Sequence, residues 1–264
     1  MKYAYRAADG SNYNPLSPTL GKAGSPYARS VPSANFVPNS ALPDPGLVFD
    51  TLLRRQKFVP HPGGISSLFF AFADLVIHSI FNTNHFDWSI NDASSYLDLS
   101  VLYGSSESQV KSVRRRDGTG KLFDDVFADS RLLFMPPASC ALLVLLNRNH
   151  NVCSFISTCL SLLTYPKYIA EKILNINENG NLSSPPPEDE KSRLAQDDEI
   201  FHRARLVNCG YFMHIILGDY VGAILGLVRD ESDWRLDPLM VSPPIYRVQL
   251  ALTTPLDDAR SNQS

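Results

Sequence analysis

Two residues four apart open the chemical reading. Asp74 and His78 are the only ionisable groups in the apolar run Leu68–Phe81, LFFAFADLVIHSIF. On a helix that spacing stacks them on one face. A carboxylate and an imidazole in apolar surroundings must be paired or hydrogen-bonded. Two readings follow: a satisfied core histidine, which is the plainer one for a lone pattern of this kind, or an imidazole that faces a cofactor or substrate cavity as acid and base. A second constellation comes soon after. Ser94, Asp98 and Ser100 place side-chain oxygens at alternate positions of SSYLDLS, and Tyr96 adds its carbonyl. Alternating oxygen donors suit a hard cation such as calcium; the plainer reading is a Ser/Asp turn leading into a short strand or helix. Cys140, Cys153, Cys159 and Cys209 have no zinc spacing and read as reduced thiols.

The elements that must position these groups are helical. Leu68, Phe69, Phe72, Leu75, Val76 and Phe81 recur near helical spacing, and Phe70, Ile77 and Ile80 make the segment apolar on most sides, which predicts a core helix. Ser66 and Ser67 stand where a cap belongs. Before it, residues 1–48 are rich in Pro, Ser, Asn and Gly and read as an irregular arm. A first helix is expected over Leu47–Gln56, ended by Pro60, Pro62, Gly63 and Gly64. Glu107–Arg115 reads as a short amphipathic helix, Arg114–Arg116 as a solvated basic face, and Asp117–Lys121 as a turn. Pro136 and Pro137 open a helix over Ser139–Asn151. Asn179–Asp198 is acidic and polar and reads as a surface loop. Ile200–Val228 reads as helix, with Leu206, Cys209, Met213, Ile216, Leu217, Tyr220, Ile224 and Leu225 as its core stripe.

The 264 residues are 44% apolar and 19% charged, enough for one sizeable core or two small ones. The net charge of −3 gives no electrostatic case for nucleic acid. The first ten residues lack an apolar signal-peptide core, so the expected location is cytoplasmic. The apolar run Tyr211–Val228 is interrupted by His214 and Asp219 and reads as a buried helix, not as a transmembrane segment.

Together these runs resemble a family. FADLVIHSIF, DWSINDASSYLDLSVLYG and RLLFMPPASCALLVLLNRNHN are similar to the haem dioxygenase domain of fungal linoleate diol synthases and psi-factor-producing oxygenases, within the animal haem peroxidase and cyclooxygenase superfamily. LPDPGLVFDTLLRR, FVPHPGGISSLFF and RLVNCGYFMHIILGDYVGAILGLVR extend the resemblance to roughly Tyr5–Pro238. It implies a mainly α, partial haem peroxidase domain. The implied chemistry is haem-dependent insertion of O₂ into linoleate or oleate, giving a hydroperoxide. His78 takes the place of the distal histidine. Asp74 stands where a glutamine often precedes that histidine, and Ser79 where calcium-binding members carry an aspartate. Ser94, Tyr96, Asp98 and Ser100 are the calcium candidates. Arg131, in Asp129-Ser130-Arg131, is the match to a distal-side arginine, and His150 matches a structural histidine. The resemblance also raises the expectation of oligomers.

Two stretches depart from the pattern. Val152–Lys167, sixteen residues, has no place in it and reads as a retained intron; a genuine hydrophobic insertion is the alternative. From Val241 to Ser264 the tail is also foreign to the family and reads as a second splice error or a divergent end. The family's proximal histidine and radical tyrosine lie in a Tyr-x-x-His motif beyond the point of divergence. The one tyrosine of the tail, Tyr246, is followed by Arg247, Val248 and Gln249. The expectation is therefore a domain over residues 1–240 that is truncated and inactive. The alternative is a non-catalytic helical remnant that binds calcium or a partner.

Overall fold

Helix α2, Ser67–Ile80, carries His78 and is the element on which the others are laid. Ser66 precedes it in extended conformation, and no proline or glycine interrupts the run. Only one face is buried, through Ala71, Leu75 and Ser79. Phe70 and Ile77 are 59% and 50% exposed. The expected all-round core helix is thus a one-sided one among the described residues.

The structure, a computed structural model, describes residues 5, 7–28, 37–61, 63–151 and 169–226. It is mainly α-helical. The N-terminal arm contributes β1, Ser25–Pro26, which pairs antiparallel with β2, Ile90–Asn91, in the loop after α2. Helix α1, Pro45–Val48, continues in a π turn over Phe49–Leu53. It starts before the expected Leu47 because the Asp44 carboxylate accepts from the Leu47 N–H, 3.0 Å. Then come α3, Ser100–Tyr103; α4, Glu107–Val113; a 3₁₀ turn, Ser130–Phe134; α5, Pro137–Asn151; α6, Ile169–Ile176; and α7, Glu190–Ile215, which runs through a π turn, Ile216–Tyr220, into α8, Val221–Ile224. Pro137 occupies the first helical position of α5, where its missing N–H costs nothing. Leu75 of α2, Leu99, Leu102 and Tyr103 around α3, Leu143 of α5, and Phe201 and Phe212 of α7 meet in one core.

Three expectations about α7 and its surroundings are corrected. The loop expected through Asp198 ends at Asp189, whose carboxylate accepts from the Ser192 N–H at 2.8 Å and starts α7. Two residues beyond it are internal partners, not surface: Gln196 and Asp197 are buried. Arg114, expected on a solvated face, is 8% exposed. Its Nη2 donates to Asp197 Oδ2 at 2.6 Å and to Asp198 Oδ1 at 2.7 Å, and its guanidinium lies 4.0 Å above the Phe201 ring. Arg115, in contrast, is exposed and pairs with Asp124. The inward face of α7 is Ile200, Phe201, Ala204, Asn208, Phe212 and Ile216, whereas Leu206, Ile224 and Leu225 of the expected stripe are exposed. A stripe chosen by apolarity alone passes over Asn208, which is inside because its Nδ2 donates to the Tyr103 hydroxyl at 2.9 Å and to the Leu146 carbonyl at 3.2 Å.

That hydroxyl belongs to a buried relay. The Gly120 carbonyl can only accept, so His150 Nε2–H donates to it, 3.0 Å, and Nδ1 accepts from Tyr103 O–H, 2.9 Å. Burial holds the imidazole neutral and lowers its pKa to about 4.

Two outcomes follow. Arg114→Met leaves Asp197 charged and buried without its cation, and should destabilise the chain by about 3–5 kcal/mol in denaturant unfolding; a loss under ~1 kcal/mol would mark the pair as a solvated one. His150 binds its proton more readily when unfolded, so its contribution is complete above its ordinary pKa of 6.5 and declines as pH falls toward 4. Stability should drop across that window by up to roughly 3 kcal/mol more than in His150→Gln. Parallel pH profiles for the two chains would contradict this.

Candidate functional site

His78 lines a polar cavity of about 220 Å³ with Asn82, Asp92, Ser100, Asp129 and Arg131. Its Nδ1 lies 2.7 Å from the Asp74 carbonyl oxygen, which can only accept. Nδ1 therefore carries the proton, and Nε2 is left as the basic nitrogen. The Asp74–His78 stack expected from spacing is made through the Asp74 backbone. The Asp74 carboxylate turns elsewhere and accepts from Ser139 Oγ at 2.9 Å, tying α2 to α5.

Arg131 reaches the same helix from its other end. Its Nη1 donates to the Phe81 carbonyl at 2.8 Å and its Nη2 to the His78 carbonyl at 3.1 Å, while Asp129 holds the guanidinium through Nε and Nη2. A cation on the last carbonyls of a helix is favourable for the macrodipole and satisfies orphan acceptors. Arg131 is thus brought to the His78 cavity, as a clamp on the helix end that carries the imidazole.

The Ser94–Ser100 loop packs against α2, and its oxygens are spent within the protein. Ser94 Oγ donates to Asp98 Oδ2 at 2.9 Å, the Ser100 N–H to Asp98 Oδ1 at 3.1 Å, and Ser100 Oγ to the Ser79 carbonyl at 3.0 Å. The Tyr96 hydroxyl donates to the Leu20 carbonyl at 2.9 Å in the arm. Leu99 takes a left-handed φ of 54° to make the turn. Among the described residues no group of three or more His, Cys, Asp or Glu side chains gathers to hold a metal ion. The Ser94 and Ser100 hydroxyls and the Asp98 carboxylate therefore knit a turn.

The outer face of α2 fits an apolar body better. Phe70, Ile77 and Phe81 recur at helical spacing and stay 59%, 50% and 47% exposed; His78 lies one step round the helix, at the margin between this face and the buried one. A flat apolar macrocycle such as haem would find there a hydrophobic wall with a proton-accepting nitrogen at its edge.

Sequence reasoning looked for a Tyr-x-x-His motif only in the tail and passed over Tyr211-Phe212-Met213-His214 inside α7. Tyr211 packs partly buried against the main core, and burial together with Asp219 raises its pKa. His214 is exposed, and neither residue lines the His78 cavity. Cys140 Sγ donates to the Leu132 carbonyl at 3.2 Å and Cys209 Sγ to the Asp98 carbonyl at 3.0 Å. Val152–Lys167, Trp234–Pro238, Tyr246 and the rest of the tail lie outside the described residues. No helix among the described residues is long and apolar enough to cross a membrane.

Comparison with known proteins bears on the family and the fold. The animal haem peroxidase profile matches residues 5–88. The chain is 43% identical over 242 residues to linoleate 10R-lipoxygenase of Aspergillus fumigatus, covering 89% of this chain and 20% of that protein. It is 42% identical over 240 residues to 7,8-linoleate diol synthase of Pyricularia oryzae, covering 90% and 19%. The chain thus spans about a fifth of the length of the curated relatives it matches. Among solved structures it superposes on fatty acid alpha-dioxygenase of Oryza sativa with a TM-score of 0.62 at 17% identity, over 85% of this chain and 39% of that one. It also superposes on peroxidase A of Dictyostelium discoideum with a TM-score of 0.60 at 16% identity, over 83% and 53%. These last two show a shared fold. Residues 5–88 thus match the animal haem peroxidase domain, and over about 89% of its length the chain is similar to the fungal linoleate diol synthases and psi-producing oxygenases.

Proposed function

We propose that this chain supplies the distal side of a haem-dependent fatty-acid dioxygenase site, with linoleate or oleate and O₂ as the substrates. The observation that carries the reading is His78, held by the Asp74 carbonyl as an Nδ1–H tautomer at the edge of an exposed apolar helix face. Bound haem would supply the redox chemistry on oxygen. His78 takes up or returns a proton at Nε2, and the fixed Nδ1–H keeps the ring from rotating as it does so. Arg131 is a positioning residue: its grip on the His78 and Phe81 carbonyls sets the end of α2. Phe70, Ile77 and Phe81 form the apolar wall that excludes water from one side.

In this reading the domain extends over residues 1–240, with 152–167 and 241–264 foreign to it, and the 264 residues by themselves are a fragment that does not turn over. Haem would need a protein ligand to its iron, and in this reading His78 is a proton carrier and not that ligand. The Tyr-x-x-His spacing occurs in this sequence at Tyr211–His214, on the core-packed α7 and outside the His78 cavity.

The test is to express residues 1–264, add haem, and record its absorbance and oxygen uptake with linoleate. No sustained uptake is expected. Uptake that His78→Ala abolishes would overturn the inactivity, and uptake that also fails in His214→Ala would assign the α7 pair to the iron. A chain lacking residues 152–167 and completed with a family Tyr-x-x-His segment should gain a haem spectrum and turnover. If it binds no haem, the chain is a helical module without this chemistry.

A further inference from the structure

A second and larger cavity, about 370 Å³, opens where the N-terminal arm, at Ala7, Ala8 and Asn12, passes over α4 and α7. It shares no lining residue with the His78 cavity. Its wall is cationic. Lys111, Arg114, Arg116 and Arg205 line it, against the carboxylates of Glu107 and Asp198. Asp197 behind Arg114 adds one more negative charge, so the cluster remains positive.

Three of the arginines each keep one buried donor atom without an acceptor. Arg205 is 5% exposed, and its buried Nη2 meets no acceptor. Arg114 spends Nη2 on Asp197 and Asp198, but its buried Nε has no acceptor, and neither has Nε of Arg116. Arg116 also holds a left-handed φ of 58°, costly for a side chain of this kind. Buried donors without acceptors cost free energy, the more so on charged groups. Three guanidinium groups with spare N–H donors around one cavity match an oxyanion, which offers several acceptors at once and neutralises the charge.

We propose that this cavity binds a small oxyanion, a phosphate or a carboxylate group, held by Arg114, Arg116 and Arg205. Ala7, Ala8 and Val110 in the same wall leave apolar room for an organic body attached to it. Asp198 is the internal competitor: it occupies Arg114 from a side chain that is 51% exposed, so its charge weakens the site without being needed for the core.

Calorimetric titration of the 264-residue chain at constant ionic strength, with sodium phosphate, sodium acetate or sodium chloride, tests this. Saturable binding of phosphate or acetate, but not chloride, is expected, and which of the two binds tells a tetrahedral from a planar ligand group. Arg116→Gln and Arg205→Lys should each weaken it by about tenfold or more. Asp198→Asn should tighten it several-fold, a direction that loss of structure would not produce. Arg116 and Asp198 are the variants least apt to disturb the core if Arg205→Lys fails to fold. No saturable heat with either oxyanion would overturn the proposal. So would an affinity unchanged by Arg116→Gln and Asp198→Asn in chains whose circular dichroism matches the parent.

Discussion

The Asp197 carboxylate is the point on which the helical core turns. It is fully buried, and its charge is tolerable only because three groups converge on it. The Gly118 and Gly120 N–H groups donate to Oδ1 at 3.1 and 2.8 Å, and Arg114 bridges Oδ2 to Asp198. This fixes the start of α7 against the end of α4 and the turn after it. Gly120 has to be glycine here: its φ is +68°, and a Cβ would lie 2.6 Å from Ile200 and 2.7 Å from the Phe201 nitrogen. With its N–H on Asp197, Gly120 turns its carbonyl to His150 Nε2. His150 Nδ1 in turn accepts a hydrogen bond from the Tyr103 hydroxyl, and Asn208 closes the relay from α7. One buried charge therefore orders α3, α5 and α7 together.

From Tyr103 the order reaches the candidate site along the chain. Tyr103 ends α3, and Ser100 begins it. Ser100 Oγ donates to the Ser79 carbonyl, the residue after His78, and Asp98 gathers Ser94 and Ser100 into the turn that feeds this contact. Asp98 stood out in the sequence through the alternating oxygens of SSYLDLS; in the fold its carboxylate accepts from Ser94 Oγ and the Ser100 N–H. On the remaining side Arg131 grips the helix end and Ser139 takes the Asp74 carboxylate. The imidazole thus sits on a helix fixed from three directions, while the outer face of that helix stays open.

What was legible in the sequence was local and periodic. The His78 helix, the proline-opened α5, the Glu107 helix and the family resemblance all rest on spacing or on uninterrupted runs, and these survive in the structure. What was not legible depends on partners far apart in the chain. Arg114 and Asp197 are 83 residues apart, so each looked like a surface charge by itself. The burial of Asn208 depends on Tyr103, 105 residues away. The apolar exposure of Phe70 and Ile77 was hidden by the rule that apolar runs go inside, which describes the average and not a face at which a ligand or further protein is received. Asp74 and His78 were rightly seen as neighbours, but spacing alone does not tell whether a carboxylate or its backbone carbonyl makes the bond.

Arg114 belongs to both the fold and the cationic cavity, and this gives the two a common physical basis. A guanidinium presents its donors in a rigid fork, so the orientation that satisfies Asp197 through Nη2 also fixes where Nε points. The protein gains a fixed α4–α7 junction by that choice and is left with a charged donor that the junction itself cannot satisfy. Phe201 covers one face of the guanidinium, which removes water from that side and raises the cost of the unmet donor. An anion that accepts from this Nε–H would relieve the cost while Nη2 keeps Asp197. Its binding energy would then strengthen the junction from which the Gly120–His150–Tyr103 relay starts, and stability would rise with anion concentration as for any ligand that prefers the folded chain.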